Sequence, residues 1–264
     1  NPYNFVLGNP IMAMDPDGNE GFPWYYHMLN QKAQDLNSTV AVYWSVSGGL
    51  GATGSYSQTF AVDQTGAVTI STSKGGIASG NNGHSFWLGG KAQLSGGIAI
   101  FPSQLSEVTL GESIEFGFDL GTTGIGAGAG VIMDKRENVI GFNAEVTAGP
   151  GVGYGLEKKQ SVGVQMSALG FETVYDAYKN GFNTALSESQ YWNSEIDIDL
   201  GFWDVDPSSS HVEMVGVGEN KYEARVNIRV NFKPTGANPT DTYIAIKTNV
   251  FFEKINGNYV EITE

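Results

Sequence analysis

The stretch SFWLGGKAQLSGGIAIF, residues 85–101, alternates apolar and polar positions over most of its length. Phe86, Leu88, Ala92, Leu94, Ile98 and Ile100 share one face, and Lys91, Gln93 and Ser95 share the other. A period of two marks a β-strand. The same period runs outward from this segment. Val40, Val42, Trp44 and Val46 lie on one face of TVAVYWSV. SYSQTFAVDQTGAVTIS reads as a hairpin about Asp63-Gln64-Thr65-Gly66. Ile114, Phe116 and Phe118 oppose Glu115 and Asp119. GIGAGAGVIMDKRENVIGFNAEV reads as a second hairpin with Asp134-Lys135-Arg136-Glu137-Asn138 at its tip, and GVGYGLEKKQSVGVQM closes the region. Residues 38–166 thus hold about eight strands. Their interior glycines allow bending and close packing. Long bent antiparallel strands bury their edges by closing. The expected fold is mainly β: a Gly-rich antiparallel barrel or curled sandwich, in an up-and-down arrangement.

The texture changes at Ser167. Phe171, Val174, Tyr175 and Tyr178, then Phe182, Ala185 and Leu186, recur at helical spacing and read as one helix, with a break at Asn180-Gly181 as the alternative. Alternation then returns in YEARVNIRVNF, which sets Val226, Ile228 and Val230 against Arg225, Asn227 and Arg229. TYIAIKTNVFFEK is its expected partner, and Asn256-Gly257 reads as a tight hairpin turn. Residues 167–264 are therefore expected to form a smaller α+β unit, a helix plus an antiparallel meander. Upstream, residues 23–37 read as a short helical linker, with Trp24, Met28 and Gln31 on one side, and residues 1–22 as turns.

Composition excludes several chemistries. Lys+Arg number 14 and Asp+Glu 28, a formal net charge of -14, which repels phosphate backbones and disfavours nucleic-acid binding. Without cysteine there are no disulfides, thiolate nucleophiles, iron–sulfur clusters or Cys-based zinc sites. His27, His84 and His211 are widely separated and match no zinc-binding spacing. No apolar run reaches membrane-helix length. Neither a metal nor a cofactor is implied. Gly accounts for 36 of 264 residues and aromatics for 12%, the profile of an extracellular-type β protein.

The chain opens NPYNFVLGNPIMAMDPDGNE, with Asn1, Tyr3, Phe5, Asn9, Pro10, Asp15, Pro16 and Gly18 spaced as three successive turn signals. This segment resembles the end of the core domain of rearrangement-hotspot (RHS, or tyrosine-aspartate) repeat proteins, which runs Asn-x-Tyr-x-Tyr, Asn-Pro, Asp-Pro-x-Gly. Phe5 replaces the second Tyr, and the likeness covers under a tenth of the chain. The resemblance implies that residues 1–22 are the tail of a β-shell and that Asp15, Pro16 and Gly18 form a junction and self-cleavage motif. It further implies that the rest is a variable C-terminal effector or toxin module used between bacteria. The implied partners are the upstream RHS shell of the same polypeptide and a cognate immunity protein.

Candidate site residues are few. His84 ends a Gly/Asn loop, where a base could sit, but no nucleophile signature accompanies it. Glu115 and Asp119 share a strand face, yet lie about 13 Å apart along an extended strand, beyond the usual carboxylate pairing of a glycosidase, and solvent-facing charge is the simpler account. Trp192, Phe202 and Trp203, with Asp204 and Asp206 nearby, could stack a sugar, although core packing suits at least two of the rings equally well.

The functional expectation is an RHS effector, secreted or at the cell surface, acting at the envelope by binding or membrane action. A carboxylate-dependent glycan or peptidoglycan hydrolase and a surface adhesion or carbohydrate-binding module are the alternatives. A membrane-spanning barrel would require Lys91 and Glu145 to face a lumen. A soluble one-sided sheet gives the same alternation. From the charge alone, the chain should form no salt-sensitive micromolar complex with duplex DNA in a fluorescence-anisotropy titration.

Overall fold

A computed structural model describes residues 23–50, 52–76, 86–102, 110–121, 124–195 and 200–262. By contact density the chain divides into two compact units. One spans Tyr25–Gln165, and the described part of the other runs from Met166 onward.

The first unit holds helix α1 (Pro23–Leu36) and eight strands: β1 (Thr39–Leu50), β2 (Ala52–Val62), β3 (Val68–Gly76), β4 (Phe86–Phe101), β5 (Gly111–Gly121), β6 (Ile125–Asp134), β7 (Val139–Ala148) and β8 (Gly151–Met166). The strands form a closed antiparallel barrel in the order β3-β2-β1-β4-β7-β6-β5-β8, with β8 returning to β3. This is not the expected up-and-down order. β1–β4 has the spatial order 4-1-2-3, and β5–β8 repeats it as 8-5-6-7, so the barrel is two Greek keys joined edge to edge. Local alternation specifies strands but not which strand a long connection reaches, which is why the order was not legible. β4 also changes partner, pairing with β7 over Leu94–Ile100 and with β8 over Phe86–Lys91.

Both keys turn their middle hairpin with an aspartate. Asp63 Oδ1 accepts from the backbone N–H of Thr65 (2.8 Å) and of Ala67 (3.1 Å). Asp134 Oδ1 accepts likewise from Arg136 (2.7 Å) and Asn138 (2.9 Å). Side-chain acceptors of this kind hold turns. The buried side of α1 is Tyr26, Leu29 and Ala33, and Met28 is 40% exposed. Tyr26 donates its hydroxyl to the Gly66 carbonyl (3.1 Å) and ties the helix to the β2–β3 turn.

In the second unit, α2 (Ala168–Glu195) is one continuous helix. Ser167 caps it through Oγ to the Gly170 N–H at 3.0 Å. As the spacing predicts, α2 is one helix, and it runs unbroken through Asn180-Gly181. Gly181 marks a close approach instead: a Cβ there would lie 2.1 Å from Ile246 Cδ1. The sheet is the antiparallel meander β9 (Phe202–Gly218), β10 (Lys221–Lys233), β11 (Thr240–Ile255) and β12 (Asn258–Glu261). Ala224, Val226, Ile228 and Val230 are buried. Asn256 and Gly257 both have positive φ at the β11–β12 turn.

Ile228→Val should cost about 0.5–1.5 kcal/mol in urea melts of the second unit's signal, and Ile228→Asp should prevent folding. Equal tolerance of Asp at 227 and 228 would contradict the register.

Candidate functional site: the barrel interior

The candidate site is the inside of the barrel, and its composition is inverted. Strand pairing places Tyr43, Gly97, Glu145, Gly128, Asp119 and Gly153 side by side in one transverse inward row across six strands. Each side chain is followed by a glycine, so the long polar groups reach into space their neighbours leave open. The space is fully used. A Cβ on Gly128 would lie 2.6 Å from Asp119 Oδ1 and 2.8 Å from Glu145 Oε1. A Cβ on Gly130 would lie 2.6 Å from Asn143 Oδ1.

Two lysines and four carboxylates meet here. Lys91 lies 3.7 Å from Asp119 and 3.9 Å from Glu157, all with side chains 7% exposed. Lys159 is paired with Glu115, which also accepts from Asn143 Nδ2 at 2.5 Å. Tyr43 donates to Glu145 at 3.1 Å, and Ser55 donates to Glu157. Ser73 and Ser161 share a hydrogen bond of 2.7 Å across the closing seam. Opposite charges in a poorly hydrated space attract strongly, and each isolated one would be costly.

Two small cavities lie within the network. One of about 30 Å³ is lined by Ser45, Ser47, Lys91, Asp119, Glu145 and Glu157 among others. The second, of about 70 Å³, is lined by Tyr43, Ser71, Ser73, Phe101, Ile132 and Ser161 among others. Glu115, Asn143 and Lys159 border both. Each has room for one or a few waters, and none for a sugar.

On β4–β8 the outward face is the reverse; on β1–β3 the outward Phe60, Val62, Val68 and Ile70 are buried, and Lys74 is exposed. Ile100, Phe142, Val131, Phe116 and Leu156 form one transverse row across β4, β7, β6, β5 and β8. The next is Ile98, Ala144, Ala129, Phe118 and Tyr154, and the third is Gly96, Val146, Ala127, Leu120 and Val152. No charged residue interrupts these rows. Leu94 is 54% exposed, Phe142 54%, Val146 62% and Leu120 63%.

The sequence-derived candidates fall out as follows. Glu115 and Asp119 do not face solvent: both point inward, and each is paired with a lysine. The simple reading failed because it assumed that the apolar face of each strand is the buried one. Lys91 and Glu145 do line the interior. Asp15, Pro16, Gly18 and His84 lie outside the described residues. Trp192 and Phe202 belong to the second unit and are about half exposed, while Trp203 packs on Phe232 with centroids 4.8 Å apart. Tyr43, Asn143, Glu157 and Lys159 were not singled out from sequence. Their signal was available as a polar parity in seven of the eight strands, with β6 contributing glycines at the matching positions.

Elsewhere in the second unit, Arg229 does not project freely into solvent. Its guanidinium donates to Asp206 (3.3 Å), Ser209 (2.7 Å) and Asp241 (2.5 Å). The hydrogen bond to Asp241 raises its pKa, against the opposing effect of desolvation. Burial, reinforced by Asp206, raises that of Tyr178. Among the described residues no group of His, Asp and Glu is arranged to hold a metal ion.

Comparison with protein-family models, with characterised proteins and with solved structures finds no match to this chain.

Lys159→Ala should destabilise the barrel by about 3–5 kcal/mol by stranding the Glu115 carboxylate. Lys159→Met combined with Glu115→Gln should recover most of that in a double-mutant cycle on denaturation midpoints. A single-mutant cost no larger than that of Lys158→Ala would contradict the pairing.

Proposed function

We propose that the barrel is a membrane-embedded module, and that it supplies the envelope action of an RHS-type bacterial effector. The observation that supports this reading is the inversion: charges and hydroxyls inside, and over β4–β8 three exposed apolar rows outside. A barrel standing in water gains most by burying its apolar positions. A barrel in lipid gains by turning them outward and satisfying every polar group within. Eight strands suit a lumen just filled by side chains.

The dimensions agree. Leu88 to Ile100 on β4 covers about 40 Å of extended strand, and a tilt of about 45° brings that close to the apolar band of about 25 Å typical of outer-membrane barrels. On β5 and β8 the apolar rows end at an exposed Glu112–Lys158 pair, 3.3 Å apart. Beyond it, on the same side, lie Lys135, Arg136 and Glu137 of the β6–β7 turn. Among the described residues no helix is long and apolar enough to cross a membrane, so the strands are the spanning elements in this reading. The RHS assignment rests on the junction-like opening sequence. The hydrolase alternative has less support, because the inward carboxylates are engaged with lysines, Asn143, Tyr43 and Ser55 and no space for a sugar lies between them.

The full chain should float with phosphatidylcholine vesicles, and strands β4–β8 should resist added protease. Leu94→Arg should weaken insertion by about 2–4 kcal/mol, whereas in a water-exposed barrel the same substitution would be harmless. A chain that stays in the aqueous fraction as a monomer, with Leu94→Arg indistinguishable from the parent, would overturn the proposal.

A further inference from the structure

We infer that the barrel is a closed cation pathway whose gate is an apolar floor built on Phe101. This rests on the membrane reading above. Three observations carry it. First, the interior is polar through most of its length but not at one end. There Ala41, Ala61, Ala99 and Phe101 form a buried cluster, with Ile132 and Ile140 packed against it. The Phe101 ring lies directly on the Gly141 backbone, where a Cβ would come within 2.4 Å of Phe101 Cδ1. Hydrophobic constrictions of this kind block ions by excluding water.

Second, the larger cavity rests on this floor. Its lining passes from Phe101, Ala99 and Ile132 to Glu115, Asn143 and Lys159, and the same Glu115, Asn143 and Lys159 border the smaller cavity. The two spaces are thus in series, divided by one polar crossbar. Asn143 is 9% exposed, and its Oδ1 has no hydrogen-bond partner among the described residues. A buried acceptor left open beside two water-sized spaces is a place for water or a cation.

Third, the charge is unequal. Among the described residues that line the smaller cavity, Glu115, Asp119, Glu145 and Glu157 stand against two lysines, Lys91 and Lys159. Carboxylates lining a pore favour cations and exclude anions. A lumen of this composition selects a small monovalent cation, with K⁺ or Na⁺ as the class, that sheds most of its hydration shell to Asn143 Oδ1 and the carboxylates, and the floor keeps it shut.

The test uses the full chain in planar phosphatidylcholine bilayers under an asymmetric KCl gradient, with vesicle flotation run in parallel. Phe101→Ala should raise conductance by about tenfold or more over the parent, as expected for removal of a dewetted constriction, and the reversal potential should lie toward that of K⁺. Adding Glu145→Gln to Phe101→Ala should move the reversal potential toward zero. Ile132→Ala, which thins the same floor from β6, two strands along the ring from Phe101, gives a second route should Phe101→Ala not fold. If the floor variants float with vesicles but conduct no more than the parent, or conduct anions in preference, the gate is refuted while the membrane reading stands. If neither parent nor variants float, the membrane reading fails and this inference falls with it.

Discussion

Burying six charges inside a ring of eight strands is the constraint on which the rest of the barrel depends. Lys91 and Lys159 can be dry only if Asp119, Glu157 and Glu115 reach them. Those side chains need room, and Gly128, Gly130 and Gly153 provide it by contributing none of their own. Filling the inner parity with polar groups forces the apolar residues to the outer parity, since a strand has only two faces. The glycine content, the polar lumen and the apolar belt therefore have one cause. The second unit solves the ordinary problem in the ordinary way: α2 covers the apolar face of its sheet, and the polar residues of β10 bind neighbouring strands, as Arg229 does with Asp206 and Asp241.

Much of this was legible in the residues. All eight strands of the barrel and both aspartate-led turns are visible as period and punctuation. So are α1, α2 and the buried row Val226, Ile228 and Val230. These features depend on local chemistry: alternation, a turn-holding carboxylate, φ above zero at Asn256-Gly257. Two things were not legible. The Greek-key order depends on where long connections land, which no local pattern encodes. Nor does alternation have a sign. The spacing of Leu94, Ile98 and Ile100 against Lys91, Gln93 and Ser95 is identical whether the apolar set faces a core or faces outward. The sign becomes readable only when all strands are closed into one ring, because the inside of a small ring has room for a single set. Gly181, the alternative breaking point of the helical run, is instead the point at which the helix must lie close to Ile246.

The order in which the ring closes has a consequence of its own. β3 waits for β8: the Ser73–Ser161 contact joins residues 88 apart in sequence. Ser55 and Glu157 are 102 apart, and so are Tyr43 and Glu145. Contacts of such long range form late, after the entropy of closing large loops has been overcome. Before β8 arrives, Lys91 lacks Glu157 and β3 has a bare edge. A polypeptide emerging N-terminus first from a ribosome or a narrow conduit therefore carries no finished barrel until β8 is free. The apolar belt and the charged interior come into being in the same step. Until then the chain is a string of glycine-rich strands, supple enough to thread.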